Sequence, residues 1–224
     1  GYGKKTRGSA AMHRGIIVED AVVRVLQGKM IVDESIVKAA SRFSSLYMIM
    51  DDDVHKEYAN LDPMIRLSCE ALADYGVPVF PEDGSQELIE FTMSDNINDW
   101  QMPFKGYLDL VFPETGRIVD LKTTKAMPSH QSYDHQLQRA IYQKARGNYD
   151  VSFLYVTPKK YDFKADGNPD ELLESARITV NNMNKFCNNL TPDQARKSIP
   201  LNDSGFNFYW KGEAELKQFY NEGQ

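Results

Sequence analysis

The sequence predicts a mixed α/β protein of the α+β kind, in which helices flank a central mixed sheet. Two apolar, β-branched runs at 106–112 and 117–124 border the short Pro/Gly loop 113–116, which is a strong hairpin signal. Segments with helical periodicity lie before and after this hairpin. The chain has 224 residues, of which 42% are hydrophobic and 26% charged, as is usual for globular proteins. We therefore expect residues 1–224 to form a single domain.

The residues before the hairpin predict a basic arm followed by helices. Gly28 is a helix stop, the acidic run 51–53 is suited to capping a helix N-terminus, and Pro63 interrupts or restarts a helical stretch. The predicted elements are an arm or loop at 1–14, helices at 15–26, from 33 to about 50 and from 51 to about 76, a loop at 78–84 and a strand at 86–93.

After the hairpin the pattern alternates between helix and strand. Leu137, Ile141 and Ala145 share one stripe of a helix predicted over 129–145, and Gly147 ends that helix. The other predicted elements are a strand at 151–157, a long helix at 169–190, a short helix from 191, and an aromatic-rich tail from 204 with no assigned structure.

The hairpin contains two carboxylates whose spacing suggests chemistry. If the loop spans 113–116, Phe112 pairs with Arg117, and counting back places Asp109 opposite Asp120. Directly opposed side chains lie about 4.5–5.5 Å apart, where like charges repel. Lys122 follows by two residues and shares the face of Asp120. A divalent cation would resolve the repulsion, so the pattern indicates a metal-dependent hydrolytic site. The alternative, a surface salt-bridge cluster, is disfavoured by the apolar flanking residues.

Side chains outside the hairpin are further candidates for the same site. Gln138 and Tyr142 are four apart on the next helix and share a face, although a simple polar helix face is the alternative. Glu19 lies among apolar residues of the first helix and is a candidate third carboxylate, unless it is an exposed surface residue. His13 is a weaker candidate metal ligand, because a lone His before a helix is more often a cap or a core residue. Glu90 is a reserve candidate.

Composition limits the partners. The net charge of −6 argues against a uniformly basic nucleic-acid coat, but it does not exclude a local basic groove. Two distant cysteines are too few for a four-cysteine iron–sulfur cluster and indicate reduced thiols in an intracellular protein. No apolar run is long enough to span a membrane, so we expect a cytoplasmic protein without a membrane partner. The candidate nucleic-acid contacts are Lys125, Arg139, Arg14, Thr123 and Tyr142.

These residues together resemble the PD-(D/E)XK nucleases. The resemblance depends on Asp109, on the Asp-Leu-Lys of 120–122 and on Gln138-x-x-x-Tyr142, and it is greatest to the RecB-type and phage lambda exonuclease-like branch. The Gly-x-x-x-Glu of 15–19 is similar to the first motif of that branch, and 8–13 partly resembles its Gly…His motif. The resemblance to these nucleases spans about residues 8–157, although the segment 28–84 has no motif of the family.

The resemblance implies a restriction-endonuclease-like αβββαβ core at about 8–157. This core would have two additions, a helical insertion at about 29–77 and a C-terminal helical extension at about 165–224. In such a core Asp109, Asp120 and the Leu121 carbonyl bind magnesium or manganese, with Glu19 or His13 completing the site. Lys122 positions or activates the attacking water, and Gln138 and Tyr142 support the site or contact the phosphate backbone. Asp at 120 is shorter than the commoner Glu of the family.

The implied activity is metal-dependent hydrolysis of DNA, most similar to that of a phage or recombination exonuclease. A structure-specific endonuclease and a non-catalytic DNA-binding module of the same fold are the alternatives. The absence of a cysteine cluster favours the cluster-free, phage-exonuclease-like end of the branch. DNA is the expected partner, and a homo-oligomer or a recombination partner protein would fit the same role, in the cytoplasm of a bacterium or a phage-infected cell.

Overall fold

The computed structural model describes residues 8–79, 87–91, 104–147, 149–188, 190–191 and 194. These residues form a mixed α/β protein with six helices and six strands in the described ranges. The helices are α1 (Ala10–Leu26), α2 (Val32–Ser45), α3 (Asp52–Ala59), α4 (Leu61–Leu72), α5 (Tyr133–Ala145) and α6 (Pro169–Asn188). The strands are β1 (Glu87–Phe91), β2 (Phe104–Leu108), β3 (Leu110–Phe112), β4 (Arg117–Thr123), β5 (Asp150–Val156) and β6 (Tyr161–Lys164).

Local capping chemistry explains the boundaries of the N-terminal helices. The prediction of an arm through residue 14 was wrong, because the Ser9 side chain accepts from Met12 N and α1 starts at Ala10. Gly28 follows the end of α1 with a φ of 68°, a conformation that favours glycine. Asp51 caps α3 as predicted, since its side chain accepts from the backbone at 53 and 54. Helix α2 ends at Ser45, five residues earlier than expected.

The sheet divides at Asp109. Strands β1 and β2 form an antiparallel pair, whereas the other four strands form a sheet in the order β3-β4-β5-β6. The predicted hairpin register is confirmed, because Phe112 pairs with Arg117. The first hairpin strand was expected to be continuous, but the ladder to β4 stops at the pair Leu110–Val119. Strand β6 was not predicted, and it extends the sheet beyond residue 157.

Helices cover both faces of the four-stranded sheet. Strands β4 and β5 are parallel and α5 connects them, as parallel pairing requires. Helices α1 to α4 pack with Leu110, Val119 and Leu121 in one buried cluster. Helix α5 covers the opposite face, where Ile118 and Tyr142 belong to a second cluster. Alternate residues of β4 therefore face different helices, and both faces are buried.

Several predictions lie wholly or mostly outside the described residues. The turn-rich link at 94–103 and the tail from 204 are among them, as is most of the short helix from 191. In the ranges that the structure describes, no helix combines the length and the apolar character needed to cross a membrane.

Candidate active site

Asp109 lies between the end of β2 and the start of β3. Its carboxylate accepts a backbone hydrogen bond from β4 at a position where the ladder between β3 and β4 has ended. Even-numbered positions along β4 direct their backbone groups toward β5, since Asp150 N donates to the Gly116 carbonyl and Thr124 N donates to the Val156 carbonyl. Odd-numbered residues of β4 therefore direct theirs toward β3. The ladder between β3 and β4 ends at the pair Leu110–Val119. Two residues further along β4, Leu121 N donates to Asp109 Oδ2 at 3.1 Å instead of to a strand carbonyl. Because N–H and C=O of one strand residue point the same way, the Leu121 carbonyl also lies on the Asp109 side. The strand break therefore gathers carboxylate and carbonyl oxygens at one place.

Asp120 and Lys122 form a pair on the neighbouring face of β4. Asp120 is only 1% exposed, and its Oδ1 is paired with the Lys122 ammonium. Among the described groups this oxygen has no hydrogen bond of regular geometry. The Lys122 ammonium also lies 5.4 Å from the centre of the Phe153 ring. The predicted shared face of Asp120 and Lys122 is thus confirmed, and the pair is largely buried, unlike a surface salt bridge.

The protonation equilibria of these groups are strongly coupled. Burial raises the pKa of Asp109 well above its ordinary value, and the charges of Asp120 and Glu19 raise it further. Burial also raises the pKa of Asp120, against the opposing effect of Lys122. For Lys122, burial alone lowers the pKa, but Asp120 and Asp109 outweigh it and the net shift is upward. Lys122 is therefore an ammonium that partly neutralises two buried carboxylates.

Gln138 and Tyr142 link Asp120 to β2 through one stripe of α5. Gln138 Nε2 donates to Asp120 Oδ2 at 2.9 Å and to the Tyr142 hydroxyl at 2.7 Å. That hydroxyl donates to the Tyr107 carbonyl at 2.8 Å. Gly106 is needed beside this contact, since a Cβ there would lie 2.8 Å from Tyr142 Cε1. The two side chains hold Asp120 in position, and Tyr142 is too buried to contact a phosphate backbone.

Helix α1 brings Glu19 to the open side of β4. The Glu19 charge acts on the pKa of Asp109, of Lys122 and of Tyr142. Gly15 allows the close approach, because a Cβ there would lie 3.3 Å from Thr123 Oγ1. One turn from Gly15 to Glu19 rises about 6 Å, which matches two strand residues, about 6–7 Å. Glu19 is thus within electrostatic reach of Asp109 and Lys122, as expected of the candidate third carboxylate.

Several sequence candidates have other roles in the structure. His13 Nδ1 bonds to the Tyr47 hydroxyl at 2.7 Å, so this nitrogen is engaged in a contact between α1 and the segment after α2. Arg14 is buried in an ion pair with Glu57 and is not accessible to DNA, contrary to expectation. Arg139 is also buried, and its Nη2 donates to the carbonyls of 166 and 167.

Thr123 is the last residue of β4, and Lys125 follows it by two. Thr123 accepts bonds from Arg14 through both its carbonyl and its hydroxyl. The Lys125 side chain is 63% exposed, and its ammonium lies 2.8 Å from Glu57 Oε1. Of the predicted DNA contacts, Lys125 is therefore the accessible cation. The backbone of Glu90 pairs with Lys105 on β1–β2, and its side chain lies outside the described groups.

Sequence reasoning missed His135. Its Nδ1 lies 2.5 Å from the Tyr155 hydroxyl, and its ring stacks on Phe153, the ring that also faces Lys122. Burial lowers the pKa of His135 and nearby Lys122 lowers it further, so the imidazole is neutral near pH 7. The signal was available, because His135 precedes Gln138 by three residues and so lies on the same stripe of α5.

The oxygens at the strand break fit a hard divalent cation. Asp109, Asp120 and the Leu121 carbonyl supply oxygen ligands only, with Glu19 nearby, and such sets favour Mg²⁺ or Mn²⁺. In the described ranges, however, no three His, Cys, Asp or Glu side chains are close enough to hold an ion as they stand. The described cysteine, Cys69, is buried in α4, and burial raises its pKa to about 11.

Comparison with known proteins adds little to this geometry. No family model matches the chain. No curated protein matches it. A solved structure titled "Crystal structure of SSO0001" is similar at 14% identity, with a TM-score of 0.37 over 79% of this chain and 85% of that one. The function of the chain therefore has to be inferred from its site.

Proposed function

We propose that the chain is a metal-dependent deoxyribonuclease of the PD-(D/E)XK superfamily, most similar to its RecB-type and phage lambda exonuclease-like branch. The observation that supports this best is the meeting of Asp109, Asp120 and Lys122 at the strand break. Gln138 and Tyr142, separated by one helical turn, hold Asp120 from the other side. The order of helix, three strands, helix and strand fits the αβββαβ core, with Asp109 dividing the second strand.

The donor set assigns separate tasks to the side chains. Asp109, Asp120 and the Leu121 carbonyl would hold a magnesium or manganese ion, and Glu19 would complete its surroundings. When bound, such an ion lowers the pKa of a coordinated water and stabilises charge on a phosphate. Leu121 N fixes the Asp109 carboxylate, and Gln138 fixes that of Asp120. These two hydrogen bonds would hold each carboxylate in a defined orientation, and the ion itself would draw the ligands together.

Lys122 would orient the attacking water. As an ammonium it is a hydrogen-bond donor and a positive charge, and it has no lone pair with which to remove a proton. Its charge would also stabilise the negative charge that develops on the phosphate during hydrolysis. Because its partner Asp120 is buried, the ammonium is held close to the reaction centre.

The test is digestion of end-labelled linear DNA and closed-circular DNA with magnesium and with EDTA, using Asp120→Asn as the inactive control. Stepwise loss of linear DNA alone supports the exonuclease and gives its polarity. Cleavage of circular DNA supports the endonuclease alternative instead. Binding without cleavage by the wild-type protein would leave a DNA-binding module. Cleavage that persists in EDTA, or in Asp120→Asn, would refute the proposed site.

A further inference from the structure

We propose that the buried ion pair between Arg14 and Glu57 is a positioning device for Glu19. It would fix α1 against the open side of β4 and so set the distance from Glu19 to Asp109. This inference rests on the proposed function, in which Glu19 contributes to the metal site. It also gives a role to the helical segment 29–77, where the sequence has no motif.

The contacts of Arg14 join three parts of the fold. The Arg14 and Glu57 side chains are each only 3% exposed, and Arg14 Nη1 pairs with Glu57 Oε2. Arg14 Nη2 donates to the Thr123 carbonyl at 3.2 Å and to the Thr123 hydroxyl at 3.3 Å. Glu57 Oε1 also receives the Lys125 ammonium. Helices α1 and α3 and the end of β4 are thus tied together by one guanidinium and one carboxylate.

The bond to Thr123 sets the position of α1 along β4. Thr124 N donates to the Val156 carbonyl of β5, so the carbonyl of the preceding residue, Thr123, points to the opposite side, where β3 has ended. Arg14 fills that place in the ladder, just as Asp109 fills the one at Leu121. Since Glu19 follows Arg14 by little more than one turn, a shift of α1 along β4 would move Glu19 by the same amount.

A directional role explains the pair better than stability does. A buried ion pair is often no more stabilising than an apolar pair of similar volume, because both charges lose their hydration. The planar guanidinium, however, fixes its partners in defined directions, which an apolar contact does not. Groups behind a metal site commonly change metal affinity or activity by about 10–100-fold when they are replaced.

The double variant Arg14→Met/Glu57→Leu separates these roles. It removes both charges and fills the space, so we expect a melting temperature near that of the wild type. Mn²⁺ affinity, measured by electron paramagnetic resonance, and cleavage rate should each fall about 10–100-fold. Glu70→Gln, an exposed position on α4, is the matched control and should change neither quantity. Wild-type Mn²⁺ affinity and cleavage rate in the double variant would overturn the proposal.

A second comparison tests whether the effect passes through Glu19. Adding Glu19→Gln to the double variant should lower Mn²⁺ affinity and cleavage rate little further, because Glu19 is already displaced in the double variant. Fully additive losses would overturn the proposal. If the double variant does not fold, Arg14→Lys takes its place. This variant keeps the positive charge but loses the planar guanidinium that bonds to two partners, and it should show the same dependence on Glu19. If the wild type binds Mn²⁺ but leaves DNA intact, the nuclease function fails, while the coupling is still read from Mn²⁺ affinity.

Discussion

Replacing Asp109 by Asn should stabilise the metal-free protein at neutral pH. Asn has the same shape and keeps an oxygen that can accept from Leu121 N, but it removes one of two buried carboxylates. The Asp109 carboxylate reaches β4 at Leu121 N, beside Asp120 in the chain, which puts the two carboxylates about 5 Å apart, the spacing of neighbouring strands. Two charges at that distance repel by ~3 kcal/mol at an effective dielectric constant of about 20. Lys122 attracts both carboxylates and offsets part of this repulsion. We expect a net gain of about 1–2 kcal/mol in unfolding free energy, or roughly 2–8 °C in melting temperature.

The gain in unfolding free energy from Asp109→Asn should increase as pH rises. Burial, Asp120 and Glu19 raise the pKa of Asp109 in the folded state above its ordinary value of 3.8. Asp109 in the folded wild type therefore stays protonated to a higher pH than it does in the unfolded chain. The free energy of unfolding of the wild type falls as pH rises from the unfolded-state pKa of Asp109 to its folded-state pKa. Asn does not titrate. The advantage of Asp109→Asn should be small below about pH 4 and complete above the folded-state pKa of Asp109.

Urea unfolding in EDTA, at intervals from about pH 4 to 8, measures this difference directly. Asp150→Asn is a suitable control, because that carboxylate is exposed at the start of β5 and should show a change within about 0.5 kcal/mol. An Asp109→Asn protein that is less stable than the wild type at pH 8 would refute the reasoning. A stability difference that is independent of pH would do the same.

Four other substitutions test the proposed site. Lys122→Met should reduce single-turnover cleavage at least ~100-fold while DNA affinity in calcium, read by fluorescence anisotropy, is retained; near-wild-type cleavage would contradict its role. Glu19→Gln should lower turnover and raise the magnesium concentration needed, so an unchanged magnesium curve would mean that Glu19 is not at the site. Tyr142→Phe removes the hydroxyl that bonds to the Tyr107 carbonyl and to Gln138, which keeps its bond to Asp120, and should lower the unfolding free energy in urea by about 1–3 kcal/mol, with slower cleavage. Gly106→Ala brings a Cβ against Tyr142 and should destabilise by about 1–3 kcal/mol, and wild-type stability would show that the two groups do not touch.

Local chemistry in the sequence was sufficient for the hairpin and for most helices. The turn at 113–116 fixed the pairing of Phe112 with Arg117, because hairpin register follows from loop length. The four-residue spacing of Gln138 and Tyr142 placed both on one stripe of α5, and the bond between their side chains confirms it. These features depend on neighbours within a few residues, so a single sequence contains them. The meeting of Asp120 and Lys122 is of the same kind.

Only the tertiary structure decided which charged side chains are accessible. Arg14 and Arg139 look like surface cations in the sequence, but partners 43 and 27 residues away bury them. The break at Asp109 likewise is a feature of the sheets, since the residues before it pair with β1 and those after it pair with β4. His135 reaches the site because β5 supplies Phe153 and Tyr155 beside Asp120 and Lys122. Such contacts join residues far apart in the chain, where neither periodicity nor turn chemistry specifies the partner; burial is set by the packing of whole elements against one another.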